Sequence, residues 1–225
     1  MDSKKQTAHG QTQEKSNSDK PSTKNKSQEK STKVGETTRT DSKAKTGSTS
    51  GRQQKARFHE KNEGKLKEFF LEEVKDIYFA EHEALKALTK MEDAATSAAL
   101  KESISQHYAE TEEQIKRLEE VFALLGEKPA KKKCEGILGI IKDGESVLED
   151  TDSETMVRDA AIIIANQKVE HYEITSYGSL AELARTLGLE DVAELFDITL
   201  DEEKNTDVTL TTLAVESVNE EATKE

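Results

Sequence analysis

Apolar residues recur at spacings of three and four along four stretches after residue 60, which predicts amphipathic helices. We expect these helices at Gly64 to about Glu92, Ser97 to about Leu125, Thr151 to about Leu187, and Leu189 to about Asn219. Glycine commonly follows a helix C-terminus, and Gly126 and Gly188 mark two of the predicted ends. Four long helices with one apolar stripe each predict a four-helix bundle and an all-α fold.

The connection between the second and third helices is long. A short amphipathic segment, Cys134 to Glu149, lies within it and contains two glycines that we expect to interrupt it, Gly139 and Gly144. A connection of this length can cross the bundle end, so that the second and third helices run parallel, as in ferritin-like folds. Thr151 and Glu154 match a capping box that opens the third helix, and the last seven residues, NEEATKE, should fray.

The first 60 residues form a separate region of different composition. From Met1 to Ala56 there is no Leu, Ile or Phe. Such a segment buries too little apolar surface to offset its ordering entropy, so we expect a disordered tail at 1–60 and a ferritin-like domain at 61–225. Residues 1–57 carry 14 basic and 6 acidic side chains, whereas the remainder carries 19 basic and 40 acidic ones. The basic tail predicts either weak nucleic-acid contact or a solvating segment that folds back on the acidic domain.

Cysteine content and hydropathy indicate the compartment. Cys134 is the single cysteine, which excludes an internal disulfide and fits a reducing environment. The N-terminus has no apolar core of a secretion signal, and no apolar run approaches the length that spans a membrane. We therefore expect a soluble, cytoplasmic protein with no membrane partner.

Acidic residues interrupt every apolar stripe near the middle of its helix. The acids and one histidine in these positions are Glu81, His107 with Glu110, Glu170 with Glu173, and Glu203 with Asp207. A carboxylate in a helical core costs several kcal/mol unless it meets a cation or a hydrogen-bond donor. Two divalent or trivalent metal ions would offset the mutual repulsion of these anions. The alternatives are acids that extend from helix edges to water, a hydrogen-bonded core histidine, or a water-filled polar seam.

The ligand types favour particular metals. Oxygen-rich ligation with one imidazole nitrogen suits iron or manganese better than zinc, which usually takes sulfur or more histidine. Nearby tyrosines provide donors that would orient the ligands, namely Tyr78, Tyr172 and Tyr177. His171 follows Glu170 but lies about 100° around the helix, which predicts an outer or surface position.

Several segments resemble the YciF-like family of bacterial ferritin-like stress proteins. They are DIYFAEHEAL, HYAETEEQIKRLEEVF, KKKCEG, RDAAIIIANQKVEHYEITSYGSLAELARTLG and LDEEKNTDVTLTTLA. The resemblance covers about residues 64–219 and implies a ferritin-like bundle, a homodimer and a two-metal site. It implies no particular reaction.

The sequence departs from the usual ferritin and rubrerythrin pattern, which places Glu-x-x-His on the second and fourth helices. Here the second helix has the reverse order, His107-x-x-Glu110, and the fourth offers Glu203 and Asp207 without histidine. This difference argues against ferroxidase chemistry. Three functions follow: a metal-binding stress protein that handles peroxide or iron, a DNA-associated protective protein tethered by its tail, or a non-catalytic structural bundle.

Overall fold

The computed structural model of the protein describes residues 64–225, which form helices and turns with no strand. The helices are α1 (Lys65–Ala94), α2 (Ala98–Leu125), α3 (Glu135–Asp150), α4 (Met156–Thr186) and α5 (Glu190–Leu213). A π-helical turn (Ala214–Val218) and a short α6 (Asn219–Ala222) continue α5. No helix in this part of the chain combines the length and apolar character that crossing a bilayer requires.

Two clusters of buried apolar side chains define the topology. The first joins the start of α1, the end of α2, the end of α4 and the start of α5, through Phe70, Phe122, Tyr177 and Phe196. The second joins the opposite ends of the same helices, through Met91, Leu100, Ile162 and Leu210. Thus α1 is antiparallel to α2, α2 is parallel to α4, and α4 is antiparallel to α5. The predicted all-α, one-crossover bundle of ferritin-like type is confirmed.

The crossover contains α3, which packs along α4 and α1. The expected interruption at Gly139 and Gly144 is wrong, because α3 is continuous from Glu135 to Asp150. Gly144 instead permits a close approach between helices, since a Cβ there would lie 3.2 Å from the Cβ of Ala165. The crossover is therefore a helix held tightly against the bundle. The predicted disordered tail lies outside the described residues.

The predicted start of the third helix is also wrong. Thr155, not Thr151, is the N-cap of α4, and its hydroxyl accepts a hydrogen bond from the amide of Arg158 at 3.2 Å. Thr151 donates to the carbonyl of Val147 and so completes the end of α3. The guanidinium of Arg158 donates to the carbonyls of Leu148, at 2.8 Å, and Thr151, which joins the two helices.

The expected fraying of the C-terminal residues is contradicted as well. Helical structure continues through Ala222. The carboxylate of Glu225 then accepts hydrogen bonds from the first amides of α4, Met156 at 2.8 Å and Val157 at 3.2 Å. A negative charge at a helix N-terminus is stabilising, and this contact was invisible to local sequence patterns because the two residues are far apart in the chain.

Candidate metal centre

A polar layer divides the two apolar clusters at mid-height of the bundle. Every helix of the four-helix bundle contributes to it: Glu81 from α1, His107 from α2, Glu170 and Glu173 from α4, and Glu203 from α5. All five side chains are at most 3% exposed. Glu170 and Glu173 are three residues apart and therefore lie on the same side of α4. We call these five residues the carboxylate layer.

Four of the five residues of the carboxylate layer, all except Glu81, form a compact group. Ligand atoms of His107, Glu170, Glu173 and Glu203 all lie within 4.8 Å of one another. The imidazole faces two of the carboxylates, with Nδ1 3.0 Å from Oε1 of Glu170 and Nε2 3.6 Å from Oε2 of Glu203. Such spacing fits several ligands around a shared ion.

Most carboxylate oxygens in this layer make no hydrogen bond within residues 64–225, although Oε1 of Glu170 has the imidazole of His107 3.0 Å away. They are Oε2 of Glu81, both oxygens of Glu170, both oxygens of Glu173, and Oε2 of Glu203. A buried charged acceptor without a partner loses its solvation without compensation, at a cost of several kcal/mol. These oxygens therefore require either protons or a cation.

Burial and mutual repulsion shift the pKa values of this layer upward. Burial, reinforced by the charge of Glu203, raises the pKa of Glu81 to about 8. Burial also raises the pKa of Glu170 to about 8, against the lowering effect of hydrogen bonding with Glu203 when that carboxyl is protonated and with smaller upward contributions from nearby acids. The pKa values of Glu173 and Glu203 rise well above the ordinary carboxyl range, chiefly through burial. A cation in the layer would remove this penalty on the ionised form.

A second set of side chains orients the carboxylate layer. The hydroxyl of Tyr177 donates to Oε1 of Glu81. The side-chain amide of Gln114 donates to Oε1 of Glu203 and, at 3.2 Å, to Glu202. Arg117 forms a two-pronged pair with Glu202 at 2.8 and 2.9 Å. This arm, Arg117–Glu202–Gln114, restrains Glu203 from the α2 side and brings a cation near the layer.

Sequence reasoning did not identify Gln114 and Arg117 as parts of the site. The available signal was an amide on the apolar stripe of α2, three residues before an arginine, so that both lie on one side of the helix. Gln114 is 1% exposed, and a buried amide needs partners on a neighbouring helix.

Two predicted ligands lie outside the carboxylate layer. Glu110 is half-buried and accepts a hydrogen bond from Gln106 at 2.9 Å. Asp207 is also half-buried and accepts from Gln167 at 3.0 Å, with Nε2 of the exposed His171 3.4 Å away. The part of these two residues in metal binding stays a prediction.

The predicted tyrosines have different surroundings. The hydroxyl of Tyr177 reaches the layer, as described above. The hydroxyl of Tyr78 donates to Glu119 at 3.0 Å, and that of Tyr172 lies 3.2 Å from Sγ of Cys134. Neither of these two contacts involves a residue of the carboxylate layer.

The sequence of this chain is similar to a protein family and to a curated protein. Residues 65–223 match the family described as "Domain of unknown function (DUF892)". Protein YciF of Escherichia coli (strain K12) is 41% identical over 158 residues, which are 70% of this chain and 95% of YciF. The relatives therefore align with the helical domain and leave the first part of this chain unmatched.

Solved structures show the same similarity. The structure of the E. coli stress protein YciF has a TM-score of 0.66 at 40% identity, covering 70% of this chain and 99% of that one. YcfI of Rhodopseudomonas palustris has a TM-score of 0.65 at 37% identity, covering 68% and 97%. A protein of Xanthomonas campestris has a TM-score of 0.55 at 25% identity, covering 68% and 95%.

Proposed function

This chain belongs to the YciF-like family, whose shared domain is the domain of unknown function DUF892, and we propose that it is a metal-binding, ferritin-like stress protein. Two iron or manganese ions would be held by the carboxylate layer. Four carboxylates and one imidazole form a hard, oxygen-rich ligand set of the kind these metals prefer. The residues present therefore fit the metal that the fold family implies.

One observation carries the proposal: six carboxylate oxygens lie buried between two apolar clusters without a hydrogen-bond partner in the described domain. A structural bundle gains nothing from such an arrangement, because protonated acids there pack no better than apolar side chains and ionised acids repel one another. A cation turns the same oxygens into ligands. The layer is thus costly without metal and favourable with it.

The side chains of the layer have distinct parts in this proposal. His107 supplies the nitrogen ligand, and its second nitrogen faces a carboxylate that fixes the orientation of the ring. Tyr177 holds Glu81 and Gln114 holds Glu203, so that one oxygen of each carboxylate is restrained and the other remains available. The apolar clusters above and below exclude water.

A pair of iron or manganese ions supplies electron exchange with peroxide, or a place to store iron, when it is bound in such a layer. The chain itself contributes ligands, their orientation and a dry interior that limits the escape of reactive oxygen species. We propose peroxide or iron as the substrate class on this basis.

Metal content tests the proposal directly. Protein purified without added metal should contain iron or manganese, and Glu81→Ala or Glu170→Ala should abolish it. Glu113→Ala is the matched control, because Glu113 is exposed and pairs with Lys116 at the surface. Metal far below one ion per chain in the wild type and in all variants would refute the proposal.

A second function concerns the basic tail. Its excess of eight positive charges over residues 1–57 favours an electrostatic contact with nucleic acid, tethering an acidic domain as a protective protein. A gel-shift comparison between the full chain and a chain without residues 1–57 tests it, since the family match covers residues 65–223 and the matched relatives are covered over at least 95% of their length. Equal, negligible binding by both would refute it.

Oligomeric state is a further part of the proposal. Following the family resemblance, we propose a homodimer, which sedimentation equilibrium tests. We also propose a location in the cytoplasm. A purely structural role, without metal, remains the competing function, and it requires that chelators leave the stability of the protein unchanged.

A further inference from the structure

A small polar cavity opens at the surface between α2 and α5. It has a volume of about 50 Å³ and is lined by Ser103, Gln106 and Glu110 of α2 and by Asn205, Thr206 and Thr209 of α5. His107 also lines it and is its link to the interior. We propose that this cavity, the access pocket, is the path by which divalent cations reach the carboxylate layer. The inference rests on the proposed function, because a path has meaning only if the layer binds metal.

The access pocket and the carboxylate layer share His107. Its imidazole is 3% exposed, lines the pocket, and has both nitrogens near layer carboxylates, 3.0 Å from Glu170 and 3.6 Å from Glu203. One side chain therefore separates the pocket from the unpartnered oxygens. An ion that reaches His107 has reached the first ligand of the site.

The lining chemistry suits a cation. Three hydroxyls, two side-chain amides and one carboxylate surround the cavity, and oxygen donors of this kind replace the waters that a hard divalent ion loses. Glu110 adds a half-buried negative charge at the pocket, and a cleft lined by one sign of charge concentrates counterions and speeds their association. Glu110 can therefore attract cations to the access pocket without being a metal ligand itself.

The size of the cavity limits what can pass. A buried water needs about 10–15 Å³ by the same measure, so the access pocket holds a few water-sized groups. A partly dehydrated ion fits, whereas a large organic substrate does not.

A second groove, between α1 and α4, is larger and has Glu73 and Asp76 in its lining, but its floor is apolar. Its volume is about 330 Å³, and its most buried lining residues are Ile77 and Leu180, at 1% and 2% exposure. A cation crossing this apolar floor would lose its hydration without replacement ligands. The groove therefore provides a control position for variants of the access pocket.

The rate of metal uptake tests the inference. Metal-free full-length protein is mixed with Co²⁺ in a stopped-flow instrument, association is followed by absorbance, and final metal content is measured by elemental analysis. Ser103→Phe should slow uptake about three- to tenfold because it fills the access pocket, while Ser179→Phe, the same change in the α1/α4 groove, should not. Final metal content should be equal in both.

The charge of Glu110 gives an independent and nearly isosteric test. Glu110→Gln should slow uptake by about three- to tenfold at low ionic strength and by less above about 0.1 M salt. Glu113→Gln, which removes an exposed charge one turn away, should leave the rate unchanged. If Ser103→Phe fails to fold, the comparison of Glu110→Gln with Glu113→Gln still tests the access path.

Several results would overturn the access path. These are uptake at the wild-type rate in both access-pocket variants, equal slowing by Ser103→Phe and Ser179→Phe, or loss of final metal content by Glu110→Gln at an unchanged rate, which would make Glu110 a ligand. Failure of the wild type to take up Co²⁺ would refute the proposed function as well. Normal loading with insensitive variants would refute the path alone.

Discussion

Two regions of the bundle bury carboxylates in opposite ways. At the end where α4 begins, Asp159 is 0% exposed, and its two oxygens accept hydrogen bonds from the backbone amides of Thr96 and Ser97, both at 2.7 Å. At mid-height, Glu170 and Glu173 are as deeply buried, yet their oxygens make no hydrogen bond in the described domain, and the imidazole of His107 approaches Oε1 of Glu170 to 3.0 Å. Burial of an acid is therefore no sign of a site by itself. A buried acid whose oxygens accept hydrogen bonds, such as Asp159, is a structural clamp, whereas one whose oxygens accept none is a candidate ligand.

Removal of the metal should give the largest difference in stability between the two regions. With ligand at about 1,000 times its dissociation constant, bound metal contributes about 4 kcal/mol to stability, so chelation should lower the melting temperature by about 10 °C in a domain of this size. Glu170→Gln should show no shift on chelation, whereas Asp159→Asn should retain it. Calorimetry with and without chelator measures both, and a wild type indifferent to chelation would favour the structural alternative.

Loss of the clamp should be the next largest effect. Asp159→Ala leaves the amides of Thr96 and Ser97 without acceptors, which should cost about 3 kcal/mol. The cost should be the same with and without metal, because Asp159 lies outside the carboxylate layer. Urea unfolding of both forms tests this, and a cost that appeared only in the metal-loaded form would contradict the division between the two regions.

The stability of the metal-free protein should depend on pH because of the buried acids in the carboxylate layer. Burial raises the pKa of Glu81 from its ordinary value of 4.5 to about 8, so between these pH values the folded protein retains a proton that the unfolded chain releases. The free energy of unfolding should therefore fall by up to about 5 kcal/mol as the pH rises from 4.5 to 8. Stability from this group is fully present below pH 4.5 and is lost above 8.

Glu81→Gln is the control for this pH dependence. Glutamine does not titrate, so the decline in stability across that pH range should become shallower in the variant. Chemical unfolding of metal-free protein at intervals between pH 5 and 8 provides the measurement. Parallel curves for the variant and the wild type would show that Glu81 titrates normally.

The smallest expected effect distinguishes the two threonines before α4. Thr155→Ala removes the N-cap and should cost about 1 kcal/mol, whereas Thr151→Ala should cost about 0.5 kcal/mol. The Thr151 hydroxyl donates to the carbonyl of Val147 and accepts from Arg158 at 3.2 Å, but Arg158 keeps its bonds to two backbone carbonyls without it. Thermal unfolding of the two variants is sufficient. The reverse order would restore the capping box predicted from sequence.

Helical periodicity predicted the bundle well because each long helix buries one side. It also placed acids on those buried sides, and Glu81, His107, Glu170, Glu173 and Glu203 do converge. Periodicity could not rank acids by depth, since an apolar stripe spans about 100° of a helix. Glu110, about 60° around the helix from His107, and Asp207, about 40° from Glu203, lie half-buried at the edge of the core, whereas Glu173 is buried at the same 60° from Glu170.

The features that the sequence analysis missed depend on contacts between distant parts of the chain. The choice between Thr151 and Thr155 depends on where α3 ends and on the hold of Arg158 on that end. The order of the last residues depends on Glu225 meeting α4. The arm from Arg117 to Glu203 joins α2 to α5. A local pattern records none of these partners.

The close contact between Gly144 and Ala165 has a consequence for how the bundle exchanges matter with its surroundings. It holds α3 against α1 and α4, so that the crossover helix covers part of that side of the bundle. The seam between α2 and α5 is on the far side, and no helix of residues 64–225 covers it in this way. A connection whose first requirement is to return the chain along the bundle, so that α4 can run parallel to α2, thereby also covers one flank of the molecule more than the other.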